Sequence, residues 1–323
     1  MKKFKYLLCA CFFLSSIAFS EQKFTNFTGA LEEICDTLYD FLPENATLLS
    51  TQPDAFIGRF FPSIPCRFSV GLATSATLID TEFVADNFQV IIDDISAALP
   101  KDYFKDIGFS IPQKIPLPTA AVTARIGGII LPFDIGAFAV TTTDSLIKDV
   151  SFDDFSMDFS YTCAGADLRY ALIEGGNILP KLSVGAGYIY SKFDFGIELD
   201  KTLYSTEYDI GKLNSSININ LECHTFYGQA QISKKLLIFV PFAGVKALVT
   251  AYKTDYGWSV STTNLIKDLY FGESKSEEIR GPFQTQFYTG CGIQLPFIQF
   301  GINAAYNFQS HKYSGAFIAN LKI

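Results

Sequence analysis

Residues 311–323, His-Lys-Tyr-Ser-Gly-Ala-Phe-Ile-Ala-Asn-Leu-Lys-Ile, decide the fold. Every second position puts Tyr313, Gly315, Phe317, Ala319, Leu321 and Ile323 on one face. The other carries Lys312, Ser314, Asn320 and Lys322, with Ala316 and Ile318 softening the contrast. A period of two is that of an extended strand whose side chains alternate, so this is a strand with one oily and one wet side. The segment before it repeats the pattern without a miss: Ile298, Phe300, Ile302, Ala304, Tyr306 and Phe308 alternate with Gln299, Gly301, Asn303, Ala305 and Asn307. Residues 283–295 make a third such strand.

Working back toward the start, the alternation recurs at 67–78, where Phe68, Val70, Leu72 and Leu78 oppose Arg67, Ser69, Gly71, Ser75 and Thr77. It returns at 119–128 and 133–143. Keeping the oily faces of these two together requires paired numbers with an odd sum, and a sum of 259 sets Arg125 beside Asp134 as an inward ion pair. Four longer segments follow: 155–170, one from 182, one from 217, and 237–253. In three of them the apolar phase slips, near residues 164–166, between Tyr190 and Phe193, and near Thr225. One-residue bulges account for the slips. With them, Phe155, Met157, Phe159, Tyr161, Phe193, Phe195, Ile217, Ile219 and Leu221 face outward, while Asp158, Lys192, Asp194, Glu222 and His224 face inward.

The count is ten strands, with a range of eight to fourteen. Hydropathy supports a membrane location. The chain is 49% hydrophobic, with 32 Phe and 16 Tyr, yet beyond its first twenty residues it has no apolar run of 18. High hydropathy spread through alternating segments is the composition of a transmembrane β-barrel rather than of a helical membrane protein. An even strand number returns both ends to one side. Short connections near 130, 175, 234 and 296 then belong to the periplasm, and long ones at 79–118, 196–214 and 254–282 to the outside. The fold expected is all-β, an antiparallel transmembrane barrel with two short amphipathic helices.

Residues 1–20 read as a signal peptide: Lys2, Lys3 and Lys5, an apolar core, then Ala18-Phe19-Ser20. Removing them takes three of 25 basic residues and none of 33 acidic ones, leaving a net charge of −11. That excludes a nucleic-acid partner. Residues 21–65 form an N-terminal periplasmic or plug segment. In it, residues 28–42 predict a helix capped by Thr28, striped by Leu31, Ile34, Leu38 and Phe41, and stopped by Pro43. Residues 66–323 are the barrel. Its long excursion, 79–118, carries the second helix, striped by Phe88, Ile91, Ile92, Ile95 and Leu99 and stopped by Pro100. Five cysteines remain in the mature chain, and an odd number cannot all pair internally; Cys35 and Cys66 either bridge or stay free.

An exported chain ending on a one-sided strand resembles Gram-negative outer-membrane barrels, although Ile323 replaces their usual terminal Phe. Lys114-Ile-Pro-Leu-Pro118, Asp167-Leu-Arg-Tyr170 and Leu179-Pro-Lys-Leu-Ser183 are similar to an uncharacterised barrel family of the spirochaete and Bacteroidetes type, distantly like the long-chain fatty acid transporters. The resemblance implies location in the outer membrane and assigns no activity or site residue.

No catalytic, cofactor or metal site emerges. Lipid cleavage needs a His and a nucleophilic Ser on one face. His311 and Ser314 fall on opposite faces, and His224 has no Ser in its segment. Cysteine spacing fits no metal site. Candidate residues are therefore those of the lumen: Arg125, Asp134, Glu222, His224, Lys246, Gln286, Tyr288, Asn303 and Lys312. The expected activity is passive uptake of a small hydrophobic or amphiphilic solute rather than an enzymatic one. The alternative is a surface structural or adhesion protein anchored by its barrel. Expected partners are outer-membrane lipid, the barrel assembly machinery and a small hydrophobic ligand.

Overall fold

The computed structural model describes Tyr39 and residues 42–57, 67–80, 114–128, 132–142, 155–176, 178–204, 209–263 and 269–322. The signal peptide, Cys35 and Cys66, and the excursion helix lie outside them. Tyr39–Leu78 and Pro116–Ile323 form one compact unit.

Eleven strand segments are β1 (Arg67–Asp80), β2 (Lys114–Gly127), β3 (Phe133–Thr142), β4 (Phe155–Ile173), β5 (Lys181–Tyr204), β6 (Asp209–Ser233), β7 (Phe239–Thr263), β8 (Leu269–Arg280), β9 (Gln284–Gln294), β10 (Ile298–Asn307) and β11 (Tyr313–Lys322). Neighbours pair in sequence order from β1 to β7, and β11 pairs with β1, from Ser69 opposite Lys322 to Thr77 opposite Ser314. β8 and β9 share one place in the ring. The lower half of β7 pairs with β9 and the upper half with β8. Pro282, which has no N–H to give the ladder, lies in the break between them. The result is a closed antiparallel barrel of ten strand positions. Among the described residues no helix is long and apolar enough to cross a membrane.

An exposed apolar belt encircles the barrel, with Leu72, Val122, Ile135, Leu168, Phe226, Val245, Ile302 and Phe317 all pointing outward. The inward positions of the same strands are buried and largely polar. This is the outside-in arrangement of a membrane barrel, and the protein belongs to the outer membrane.

The bulges expected in the long strands are not there. β4 and β5 stay in one register from Phe155 opposite Leu199 to Ala171 opposite Ser183, and shift only beyond it. β5 and β6 are unbroken from Lys181 opposite Ser233 to Leu203 opposite Gly211, and β6 and β7 along their whole pairing. The apolar face therefore changes side while the backbone does not. Below, oily residues such as Leu168, Val184, Phe226 and Val249 point outward; above, Tyr161, Phe193, Ile219, Leu221, Tyr256 and Trp258 are buried inside. A row of outward residues paired across strands, Thr162, Lys192, Glu222, Lys253 and Glu278, marks the change. Its charges alternate in sign from Lys192 to Glu278, the cross-strand order that favours pairing in water. At this height polar side chains face outward and apolar ones inward, the arrangement of a β-structure surrounded by water.

Three further expectations need correcting. The predicted loop 254–282 instead extends β7 and forms β8, whose residues 272–278 are exposed and so give no alternation to read. Helical structure extends beyond Pro43, since Tyr39 and residues 42–49 (α1) are helical and this buried stretch is held by tertiary contacts; the rest of the helix predicted over 28–42 lies outside the described residues. The β2–β3 register has Arg125 opposite Gly136, a sum of 261 rather than 259. The predicted ion pair forms all the same, along the diagonal.

Candidate functional site: the plugged lumen

Residues 42–57 are buried throughout and occupy the lumen. α1 and the extended chain after it run down the barrel. At the upper end Tyr39 bonds through its hydroxyl to Thr254, and its carbonyl accepts from Tyr252, beside the charged outward row. At the lower end Ile57 N–H donates to Asp134 Oδ2 at 2.7 Å.

Four charged side chains anchor the lower plug to one wall. Arg169 grips Asp134 with Nε and Nη2, both at 2.8 Å, and gives Nη1 to the Asp54 carbonyl at 2.9 Å. Arg125 lies 2.7 Å from Asp134 Oδ1 and from the Asp167 carboxylate. Asp134 thus accepts from Arg125, twice from Arg169 and from Ile57, which fills a carboxylate's roughly four acceptor sites. With Asp134 0% and Arg169 1% exposed, the cluster is held by mutual pairing rather than by water. Gly136 makes room for it: a Cβ there would collide with the Arg125 guanidinium.

Lys246 is the second anchor. Its ammonium donates to the Thr47 carbonyl and to Thr51 Oγ1 at 2.8 Å, and lies 5.2 and 5.3 Å from the ring centroids of Tyr227 and Tyr288. These contacts give the buried carbonyl end of α1 a cation as partner. Tyr288 donates to Gln231 Oε1, and Gln231 Nε2 donates to the Gln52 carbonyl at 2.7 Å. Gln286 accepts from Thr47 at 3.1 Å. Ser233 and Ser183 hold the N–H and carbonyl of Ala55 at 3.0 and 2.8 Å, pairing both backbone groups of a buried residue. On the seam side, Asn320 donates to Gln52 and Lys322 pairs with Asp54 at 2.7 Å. Pro53 fits against the cross-strand pair Gly292 and Gly301, where any side chain would strike its ring.

Of the residues singled out from sequence, Arg125, Asp134, Lys246, Gln286, Tyr288 and Asn303 point inward and are buried. Asn303 makes no hydrogen bond through either side-chain atom. Lys312 lies in the turn between β10 and β11, half-buried at the outer end. Glu222 and His224 are corrected to the outer surface, because the bulge that would have turned them inward does not exist. Lys192 and Asp194 move with them and pair with each other at 3.4 Å, while the side chain of Asp158 lies outside those described. His224 Nδ1 instead meets the Tyr188 hydroxyl at 2.7 Å in an aromatic group at the lipid margin, with Tyr190 and Phe226 nearby. Cys163, Cys223 and Cys291 are free thiols.

Sequence reasoning missed Asp167, Arg169 and Tyr227 as lumen residues, and the plug contacts altogether. Asp167 and Arg169 share a face two residues apart, so their charge alternation was available as a signal. Nothing local to residues 42–57 announces eight strands' worth of partners.

No protein-family model matches the chain, and no curated protein does. Among solved structures, the translocator domain of the autotransporter NalP from Neisseria meningitidis is similar over 90% of this chain and 97% of its own, at 9% identity and a TM-score of 0.41. The outer membrane protease OmpT from Escherichia coli is similar over 82% and 97%, at 12% identity and 0.40. A FadL homologue from Pseudomonas aeruginosa is similar over 80% and 89%, at 8% identity and 0.28. At these values the likenesses decide neither activity nor solute.

Proposed function

We propose that the protein is a non-enzymatic, plugged barrel for passive uptake of a small hydrophobic or amphiphilic solute, seen in its closed state. The observation that carries this reading is the inversion of the wall. Above the lipid, the interior is packed with the buried side chains of Phe193, Ile219, Leu221, Tyr256 and Trp258, so an apolar solute that parts this packing meets apolar surface inside the barrel rather than outside. Below that lining, residues 42–57 close the way, and passage requires them to shift. On this reading the partners are outer-membrane lipid, the solute itself, and the barrel assembly machinery that reads β11 during insertion.

A second reading, a surface anchor, is favoured by the tall β7–β8 wall, whose Glu273, Lys275, Glu277 and Glu278 are exposed to contact other macromolecules. Proteoliposome uptake of a fluorescent apolar solute separates the two. The transport reading expects slow uptake by the intact protein and faster uptake when residues 42–57 are deleted, with folding of each variant checked by heat-modifiable gel migration. Uptake no faster than in empty liposomes from both folded proteins overturns it in favour of the anchor.

A further inference from the structure

The barrel mouth at the short-turn end is a cavity of about 560 Å³. Asp54, Phe56 and Ile57 of the lower plug line it, together with residues from the start of β1, three turns and the end of β11. Among the described residues, four cations converge there, Arg67, Lys181, Lys235 and Lys322, against two carboxylates, Asp54 and Glu174. The local excess is positive in a chain whose net charge is −8.

One carboxylate serves two of these lysines: Asp54 lies 2.7 Å from Lys322 and 3.8 Å from Lys181. Lys181 also donates to the Phe56 carbonyl at 3.2 Å, with its ammonium 5.1 Å from the Phe56 ring centroid. Each ammonium carries three donors, so both keep N–H groups beyond those contacts. Lys235 is exposed and has no ion-pair partner among the described residues. Spare donors, surplus positive charge and an apolar wall from Phe56 and Phe68 on one concave surface suit a group with several anionic oxygens better than a single carboxylate. We propose that this mouth binds a phosphate group, either as free phosphate or as the headgroup of an anionic phospholipid whose chains follow Phe68 onto the lipid face. This inference does not depend on the transport reading.

Two arms distinguish the sources. In neutral detergent at low ionic strength, calorimetric titration with inorganic phosphate tests the free ion. In nanodiscs of phosphatidylglycerol and phosphatidylcholine, native mass spectrometry tests preferential retention of the anionic lipid. Lys235→Gln is expected to weaken binding several-fold and Lys235→Glu roughly tenfold or more, in whichever arm binds, with heat-modifiable migration unchanged because the turn lysine holds no part of the wall. Loss confined to phosphatidylglycerol assigns a headgroup site, and loss of inorganic phosphate assigns a free-ion site. No binding in either arm, or binding that Lys235→Glu leaves unchanged, overturns the proposal.

Discussion

Below the row Lys192, Glu222 and Lys253, the wall is greasy outside and charged inside; above it, the same strands are charged outside and greasy inside. The backbone register is the same in both regions, so solvent alone accounts for the difference. Where lipid surrounds the barrel, apolar side chains face out and the interior is filled by a polar plug. Where water surrounds it, the hydrophobic effect drives the apolar side chains inward as in a soluble protein. A membrane barrel can thus change its chemistry along one strand with no bulge or break.

Five substitutions test this contrast, starting with the largest expected effect. Asp134→Ala leaves the guanidiniums of Arg125 and Arg169 buried without their shared carboxylate, and should cost about 3–5 kcal/mol in urea unfolding from detergent. Leu221→Ala, in the buried upper interior, should cost about 2–5 kcal/mol by the same assay, as in a soluble core. An effect near zero would mean that the upper lining is not packed. Ile302→Arg, on the lipid face, should lower stability by about 2–4 kcal/mol, whereas Asn218→Arg, outward on β6 above the charged row, should change it by less than about 0.5 kcal/mol. Equal penalties would erase the boundary between the regions. Glu222→Lys places like charges between Lys192 and Lys253 and should cost about 0.2–1 kcal/mol, an effect that added salt reduces.

Much of the lower barrel was legible in the sequence. Strands β9 to β11, β1, β2 and β3 alternate cleanly because one face meets lipid and the other a polar lumen, and Arg125 with Asp134 could be matched by parity alone. The upper barrel was not legible in the same way. Alternation reports that two faces differ but not which one faces out, so Phe193 inward without a bulge and Phe193 outward with one produce the same pattern. Lys192, Glu222 and Lys253 held the missing information, since three charges at one cross-strand level are better explained by water outside than by three separate bulges. β8 went unread because water bathes residues 272–278. The plug went unread because its stability lies in distant partners, with Asp54, Gln52 and Ala55 each held by residues more than a hundred positions away.

The most direct test of the wall's inversion uses nitroxide spin labels at Phe226 and Asn218, both outward on β6 and eight residues apart, in a cysteine-free background reconstituted in lipid. Collision rates with oxygen, which concentrates in the bilayer, and with a water-soluble nickel chelate report the surroundings of each label. An unbroken strand crossing out of the membrane predicts high oxygen and low nickel accessibility at Phe226, and the reverse at Asn218. A label at Asn218 shielded from both reagents inside the barrel would contradict it, and so would one immersed in lipid like its neighbour at Phe226.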